Sequence, residues 1–285
     1  MSKQLILNAD DFGRHHLINK AVVRGVEKGM LRSATAMVMG EAFEEAVQIA
    51  KDHPQLGVGI HFTLVNGTPV LPVKEIPSLV DPATGRFYDN HGIFVKRFLS
   101  GKVRLNDVRR ECEAQLARFL SYGIVPTHGD SHQHMHVLPG IIDIVLDILQ
   151  RKGINRLRIP AIPVSLASTR FSNLGEQVGR SGLHVLAERA RKKAVARGFI
   201  VPEHFGGIVA GEAVDTSALR TLLLHLKEGT TEIMMHPGTD NKVLIPATEW
   251  DHDFQAESAA ILDLNLQQLA MEEHVRLINF TQLKA

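Results

Sequence analysis

The sequence predicts an α/β fold in which helices cover a parallel sheet, and three observations carry that reading. Short apolar runs recur along the 285 residues, and most are followed by a longer segment of helical period. That alternation is the pattern of parallel strands joined by crossover helices. Histidines and aspartates gather at or just beyond the carboxyl ends of several runs, where β/α barrels and open doubly wound sheets both place functional groups. Those ends lie far apart in the chain, from Asp10 to His236. A closed or distorted barrel brings distant strands around one mouth, so it explains their convergence more readily than an open sheet.

The elements follow in order. Leu5-Ile6-Leu7-Asn8 is the first expected strand, and residues 18–29 have helical period. Residues 34–39 form the second strand, 41–52 its helix, and 57–64 the third strand. Residues 65–103 lack clear periodicity and carry Gly67, Pro69, Pro72, Pro77, Pro82, Gly85 and Gly92, so they are expected as a long functional loop. Residues 105–122 read as an amphipathic helix, 126–130 as a strand running into a histidine cluster, 141–152 as helix and 156–159 as strand. Residues 183–197 and 216–227 follow as helices, the first strongly basic. Residues 232–235 are expected as strand, 256–273 as one long helix and 275–279 as the last strand. No linker rich in Gly, Ser or Pro divides the chain, so residues 1–285 are expected to form a single domain.

Composition narrows the function. With 32 basic and 31 acidic residues, the chain gives no electrostatic reason to expect nucleic acid or an anionic membrane surface. The single cysteine, Cys112, cannot form an internal disulfide, which favours a reduced, cytoplasmic setting. No basic-then-apolar leader opens the sequence, and no apolar run approaches the roughly 18 residues a membrane span needs. The sequence is compatible with a homo-oligomer and does not set its size.

The most specific motif is Thr127-His128-Gly129-Asp130-Ser131-His132-Gln133-His134-Met135-His136, which holds four histidines and an aspartate in ten residues. Imidazole is the commonest ligand for a borderline divalent metal, and each buried ring otherwise needs partners for two nitrogens. A catalytic metal usually has three protein ligands and an open position, so some of His128, His132, His134 and His136 must support ligands or face substrate. Asp10 and Asp11 form a second cluster, in which adjacent side chains on extended backbone point in different directions. One carboxylate could bind metal while the other takes a proton from water, or one could cap the following helix. Asn8, inside the strand, is costly to bury unless its amide is paired, which suggests support for the site. His61 ends the run Gly57-Val58-Gly59-Ile60; alone, it could equally be a core or surface histidine. His236-Pro237-Gly238 stops a strand and sets His236 at the mouth, suited to protonate a departing amine or simply to shape a turn. Arg158 could bind a carbonyl or an anion, or form an ordinary salt bridge. There is no Walker-type phosphate loop, dinucleotide fingerprint or nucleophile elbow.

With these residues in view, the chain resembles the YdjC-like carbohydrate deacetylases, which include chitooligosaccharide deacetylases and hopanoid-associated members. The matching elements are Leu7-Asn8-Ala9-Asp10-Asp11-Phe12-Gly13, Ser33-Ala34-Thr35-Ala36-Met37, Gly59-Ile60-His61-Phe62-Thr63-Leu64 and Thr127 to His132. Leu157-Arg158-Ile159 and Met235-His236-Pro237 agree as well. The resemblance implies a distorted (β/α) barrel similar to polysaccharide deacetylases. It also implies one divalent metal held by Asp11, His61 and His132, with Asp10 as catalytic base and His236 as general acid. Asn8, His128, Asp130, His134, His136 and Arg158 would bind substrate or support those groups. Gln133 stands where the family often has another imidazole.

The expected reaction is metal-dependent hydrolysis of an N-acetyl group from an amino sugar or short oligosaccharide. Substrate choice is expected to lie in residues 65–103 and 165–203, where the resemblance is weakest. One Trp and two Tyr offer few rings for stacking, which favours a small acetylated sugar. Zn²⁺ and Mg²⁺ lead as the metal, and Mn²⁺, Co²⁺ and Ni²⁺ are also compatible. The rival readings are a metal-dependent phosphoesterase on a similar barrel and a non-catalytic protein that binds metal or sugar.

Overall fold

The structure is a computed structural model that describes residues 3–161, 174–207 and 213–284. Its first part contains β1 (Lys3–Phe12), α1 (His16–Lys28), β2 (Ser33–Ala36), α2 (Phe43–Asp52) and β3 (Gly57–Phe62). There follow α3 (His91–Leu99), α4 (Leu105–Ser121), β4 (Gly129–Ser131), α5 (Ile141–Gln150), α6 (Leu174–Ala196) and β5 (His204–Gly206). The last part holds α7 (Thr216–Leu224), β6 (Gly229–Met235), α8 (Asn241–Thr248), α9 (Phe254–Leu262), α10 (Leu264–Glu272) and β7 (Arg276–Leu277).

The strands pair in parallel in the order β4-β3-β2-β1-β6-β5, with β7 beside the start of β1. Beyond β4 the path continues through single parallel bridges. Gly129 pairs with Leu157, and Arg156 pairs with Ile200 on the segment that leads into β5. The sheet therefore curls into a half-barrel, and isolated bridges span the remaining side.

Alternation along each strand sorts side chains between two environments. Leu5, Leu7 and Ala9 of β1, Ala34 and Ala36 of β2, and Val58, Ile60 and Phe62 of β3 face outward into the main core. There they join Val22 and Val26 of α1, Leu116 and Phe119 of α4, and Ile141, Val145 and Leu149 of α5. Each Val, Leu, Ile or Phe among them contributes about 1.5–3 kcal/mol. The opposite face is polar: Asn8, Asp10, Ser33, Thr35, His61, His128, Asp130 and Glu232 are all buried. Branched aliphatics normally fill a β/α barrel. Here, among the described residues, Ile6, Ile278, Phe280 and Leu283 form an apolar cluster at the amino end.

Several elements depart from the sequence reading. Residues 156–159 form no strand ladder, because their backbone makes only the single bridges at Arg156 and Leu157. The expected helix over 256–273 is two helices. Asp263 leaves helical geometry (ψ 119°), and its carboxylate caps α10 by accepting from Asn265 N and Leu266 N at 2.8 and 3.0 Å. The long excursion is a packed structure. It carries α3, buries Ile76, Leu79, Val80, Phe87 and Phe94, and is pinned to α4 where Glu111 accepts from Val70 N and Leu71 N. Neither β5 nor α8 was expected: β5 spans only His204–Gly206, and α8 contains Pro246. The second variable stretch, 165–203, lies outside the described residues as far as 173. Among the described residues, no helix is long and apolar enough to cross a membrane.

Gly59 shows how tightly the polar interior is filled: a Cβ there would lie 2.5 Å from the His128 ring. Overpacking of this kind costs about 1–3 kcal/mol. Gly59→Ala is expected to lower the unfolding free energy by about that amount, measured by urea denaturation. An unchanged midpoint would show that His128 can move aside.

Candidate metal centre and active site

The mouth is shaped first by an irregularity in β1. Ala9 pairs with Ala34 and Phe12 with Ala36, so β1 carries one residue more than β2 across this interval. Asp11 takes up the difference with φ +58°, a left-handed conformation uncommon for a residue with a side chain. In a regular strand Asp10 and Asp11 would point to opposite faces; the bulge turns both carboxylates toward the mouth. Neither caps α1, whose N-cap is His15, with Nδ1 accepting from Leu17 N at 3.1 Å.

Beneath the mouth lies Arg158, which is fully buried. Its Nη1 and Nη2 donate to Asp10 Oδ2 and Oδ1, both at 2.6 Å. Nη1 also lies 2.7 Å from Asp130 Oδ2, and Nε donates to Glu232 Oε1 at 2.7 Å. Its guanidinium is thus paired with three buried carboxylates. Asn8 completes the layer, donating to Asp10 Oδ1 at 2.8 Å and to Thr35 Oγ1 at 3.1 Å while Ser33 Oγ donates to its carbonyl.

Asp11, His61 and His132 converge above this layer. Asp11 Oδ1 lies 3.0 Å from His132 Nδ1 and 3.4 Å from His61 Nε2, and the three donor atoms all fall within 4.8 Å of one another. His61 Nδ1 donates to Asp130 Oδ1 at 2.7 Å, which leaves Nε2 aimed at Asp11. That arrangement, carboxylate behind and open nitrogen in front, is how metal-binding histidines are oriented. Asp11 Oδ1 and His61 Nε2 are buried without hydrogen-bond partners. An unpartnered carboxylate oxygen and ring nitrogen facing each other fit a divalent cation once the nitrogen gives up its proton. The other Asp11 oxygen, Oδ2, is taken by Arg14 Nη1 at 2.9 Å.

Electrostatics follow from this packing. Burial alone would lower the His61 pKa, but Asp130 and Asp11 raise it to about 10. Burial likewise opposes ionisation of Asp11, yet His132 and Arg14 hold its carboxyl well below the usual range. Burial pushes Glu232 up to about 7 against the pull of Arg158, so this third acid on one guanidinium is partly protonated near neutrality. His236 is lowered, chiefly by burial.

The remaining histidines of the cluster take separate places. His128 lies one layer deeper than Asp130, stacked on Phe280 at 3.6 Å between ring centroids, and burial depresses it to about 3. It packs the barrel interior and does not reach the mouth. His136 bridges Ser131 Oγ (2.7 Å) and the Arg158 carbonyl (3.0 Å), so it braces the segment carrying Arg158. His134 is buried edge-on against Phe205, 5.9 Å away, with Nδ1 unpartnered. Gln133 and His134 both have positive φ (51° and 60°), a tight left-handed turn that separates the direction of His132 from that of its successors. Gln133 accepts from His91 N at 2.9 Å and so docks α3 against the turn. His236 stands across the mouth, its Nε2 4.0 Å from Asp10 Oδ2.

Residues beyond the sequence reading also build the site. Arg14 links Asp11 to Asn66 and to the Thr248 carbonyl, and it lines a cleft of about 260 Å³ with Thr63, Gln115 and Thr248. Thr35 donates to Asp130 Oδ2 at 3.1 Å. Glu232 is a charged residue inside an apolar strand, which was the one available signal for it. Thr35 stood in the matching element Ser33 to Met37 without a role, and nothing local marks Arg14.

A curled parallel half-barrel with Asp, His and His at its mouth defines a class of α/β proteins whose buried donors could hold a metal ion. Residues 4–272 match the YdjC family model, described as YdjC-like protein, and the chain belongs to that family. A carbohydrate deacetylase of Brevibacillus brevis is 32% identical over 281 residues, covering 98% of this chain and 99% of its own. A carbohydrate deacetylase of Geobacillus stearothermophilus is 31% identical over 285 residues, covering 99% and 98%. A crystal structure from Enterococcus faecalis, of a protein proposed to cleave cellobiose-phosphate, matches 98% of both chains with a TM-score of 0.78. At 24% identity that likeness speaks for the fold.

The His61 environment yields a signed prediction. With its pKa near 10, His61 carries a second proton, on Nε2, at pH 8 in the metal-free chain, and ligation requires that proton to leave. Loading Zn²⁺ at pH 8 should release about one proton, and affinity should rise about tenfold per unit of pH up to about 10. Titration calorimetry in buffers of different ionisation enthalpy reads the proton directly. Heats that do not depend on the buffer would remove His61 from the ligand set.

Proposed function

We propose that this chain is a metal-dependent hydrolase that removes N-acetyl groups from an amino sugar or short oligosaccharide. The observation that carries the reading is the facing pair of orphaned atoms, Asp11 Oδ1 and His61 Nε2, beside His132 and below Asp10 and His236. The carbohydrate deacetylases among its relatives, aligned over nearly the whole chain, supply the substrate class. Asp11, His61 and His132 would hold a divalent ion, whose chemistry is Lewis-acid polarisation of the acetyl carbonyl.

The chain's own side chains handle the protons. Asp10, fixed by Arg158 and Asn8, takes a proton from water as the water oxygen bonds to the acetyl carbon. The C–N bond then breaks, and the departing nitrogen needs a proton. His236 provides it. Burial disfavours its charged form, so the imidazole takes up the proton gained by Asp10, whose Oδ2 lies 4.0 Å from Nε2, through one bridging water. The same burial makes the charged imidazole readier to give that proton to the amine. Water's proton thus ends on the amine, and acetate and a free amino sugar leave.

A phosphoesterase with a second metal would draw on Asp10, His61 and Asp130, the neighbouring donor group. The carboxylates of that group are already bonded to Arg158, which argues for a single ion.

Acetate release from N-acetylglucosamine and di-N-acetylchitobiose, on metal-stripped protein and after adding back each divalent ion, tests the reading. Activity should return with metal. His132→Ala should lose both ion binding and turnover, and surviving activity would dismiss the ligand assignment. Asp10→Asn and His236→Ala should keep the ion and lower kcat by about 10²–10⁴-fold. Wild-type kcat in either variant would deny that residue its role.

A further inference from the structure

Glu257, in the first turn of α9, is a buried acid that the mechanism above does not use. Its Oε2 accepts the backbone N–H of His236, its Oε1 accepts from Val214 N at 2.8 Å, and the same oxygen lies 3.2 Å from His252 Nε2. His252 is buried and stacks on Trp250, with ring centroids 3.9 Å apart at 19°. The His236 ring meets both edge-on, Trp250 at 4.8 Å and 88°, and His252 at 5.5 Å and 79°.

The backbone explains why such an anchor is needed. The last β1–β6 register pair is Ala9 with Met235, so His236 is the first residue past the ladder. Pro237 has no N–H to offer. Gly238 instead bonds α9, donating its N–H to the Phe254 carbonyl at 3.0 Å and accepting from Ser258 Oγ at 2.7 Å. His236-Pro237-Gly238 is therefore hung on α9 through Glu257, Phe254 and Ser258, and not on the sheet. A carboxylate is a stronger acceptor for a backbone N–H than a neutral carbonyl.

We propose that Glu257 is the positioning residue for His236, fixing its backbone through one oxygen and, through His252 and Trp250, the ring wall on which the imidazole rests. The proposal builds on the reading of His236 as proton donor. The donor atoms of His236, His252 and Glu257 also lie within 4.8 Å of one another. Both oxygens of the Glu257 carboxylate are already committed to backbone N–H groups, which suits orientation better than a second ion.

The test compares wild type, Glu257→Gln, His236→Ala and the double variant, each with its divalent ion. Glu257→Gln should lower kcat on N-acetyl sugars by about 10–100-fold, within the worth of a general acid, with KM and ion affinity unchanged. Hydrolysis of 4-nitrophenyl acetate, whose leaving group departs without a proton, should keep its rate. In the His236→Ala background the Gln substitution should cost nothing further. An equal fall on both substrates, or additive losses in the double variant, would overturn the assignment. If wild type with its ion releases no acetate from any sugar, the deacetylase reading fails on its own. A crystal structure of Glu257→Gln then decides the positioning role. A displaced His236 with Asp11, His61 and His132 in place supports it, and an unmoved His236 rejects it. Should Glu257→Gln not fold, His252→Phe keeps a ring on Trp250 while removing the nitrogen that lies 3.2 Å from Glu257 Oε1. It should show the same selective loss on the amide, and an equal loss on both substrates would again count against the proposal.

Discussion

The guanidinium of Arg158 is the contact on which the rest of the site depends. A cation buried this completely is tolerable only when paired and hydrogen-bonded, and the half-barrel surrounds it with Asp10, Asp130 and Glu232. Each partner comes from a different strand: β1, β4 and β6. Removing one side of such a buried pair typically costs about 3–5 kcal/mol, so the three strands are locked in register by the chemistry of one side chain. The consequences run upward. Asp130, held from one side by Arg158, holds His61 from the other, and His61 in turn presents Nε2 to Asp11. The orientation of the candidate metal ligands is thus inherited from a charge that never reaches solvent.

Two departures from regular backbone convert that buried layer into a mouth. The bulge in β1 brings Asp10 and Asp11 to the same end of the strand with separate partners: Arg158 for the first, Arg14 and the two histidines for the second. The left-handed pair Gln133 and His134 lets consecutive polar residues serve the centre, the docking of α3 and the interior in turn. Conformations of this kind cost on the order of 1–3 kcal/mol each. They persist because the surrounding hydrogen bonds over-determine them, which is a common condition of functional sites.

The far side of the mouth is organised differently. His236 lies beyond the last rung of β6, and its backbone is taken over by α9. The centre therefore joins a rigid wall made by β1, β3 and β4 to a wall that depends on the packing of a late helix. Reaction chemistry that needs a fixed ligand set and a proton group facing it is well served by this division. Much of the fold was legible in the sequence, because apolar periodicity reports which face of a strand or helix is buried. The parallel alternation and the positions of the ligand-type residues at strand ends followed from it. The boundary between α9 and α10 did not, since both halves share helical composition and one aspartate decides the break. The segment 156–159 read as a strand because its side chains alternate as in a strand, although its backbone finds only single bridge partners.

The sequence by itself determined which residues were available to the site: the aspartate pair, His61, the histidine cluster and His236 are chemically conspicuous. Only the tertiary structure decided their employment. Spacing treats His128 and His132 alike, yet one stacks against Phe280 in the interior and the other faces Asp11. Arg158 gave no sign of being a hub, Thr35 stood in a matching element without a role, and Glu257 and Arg14 gave no local sign at all. The physical reason is that partnership between charges is set by distance in space. The curl of the sheet, the bulge at Asp11 and the turn after His132 fix those distances through residues widely separated in the chain.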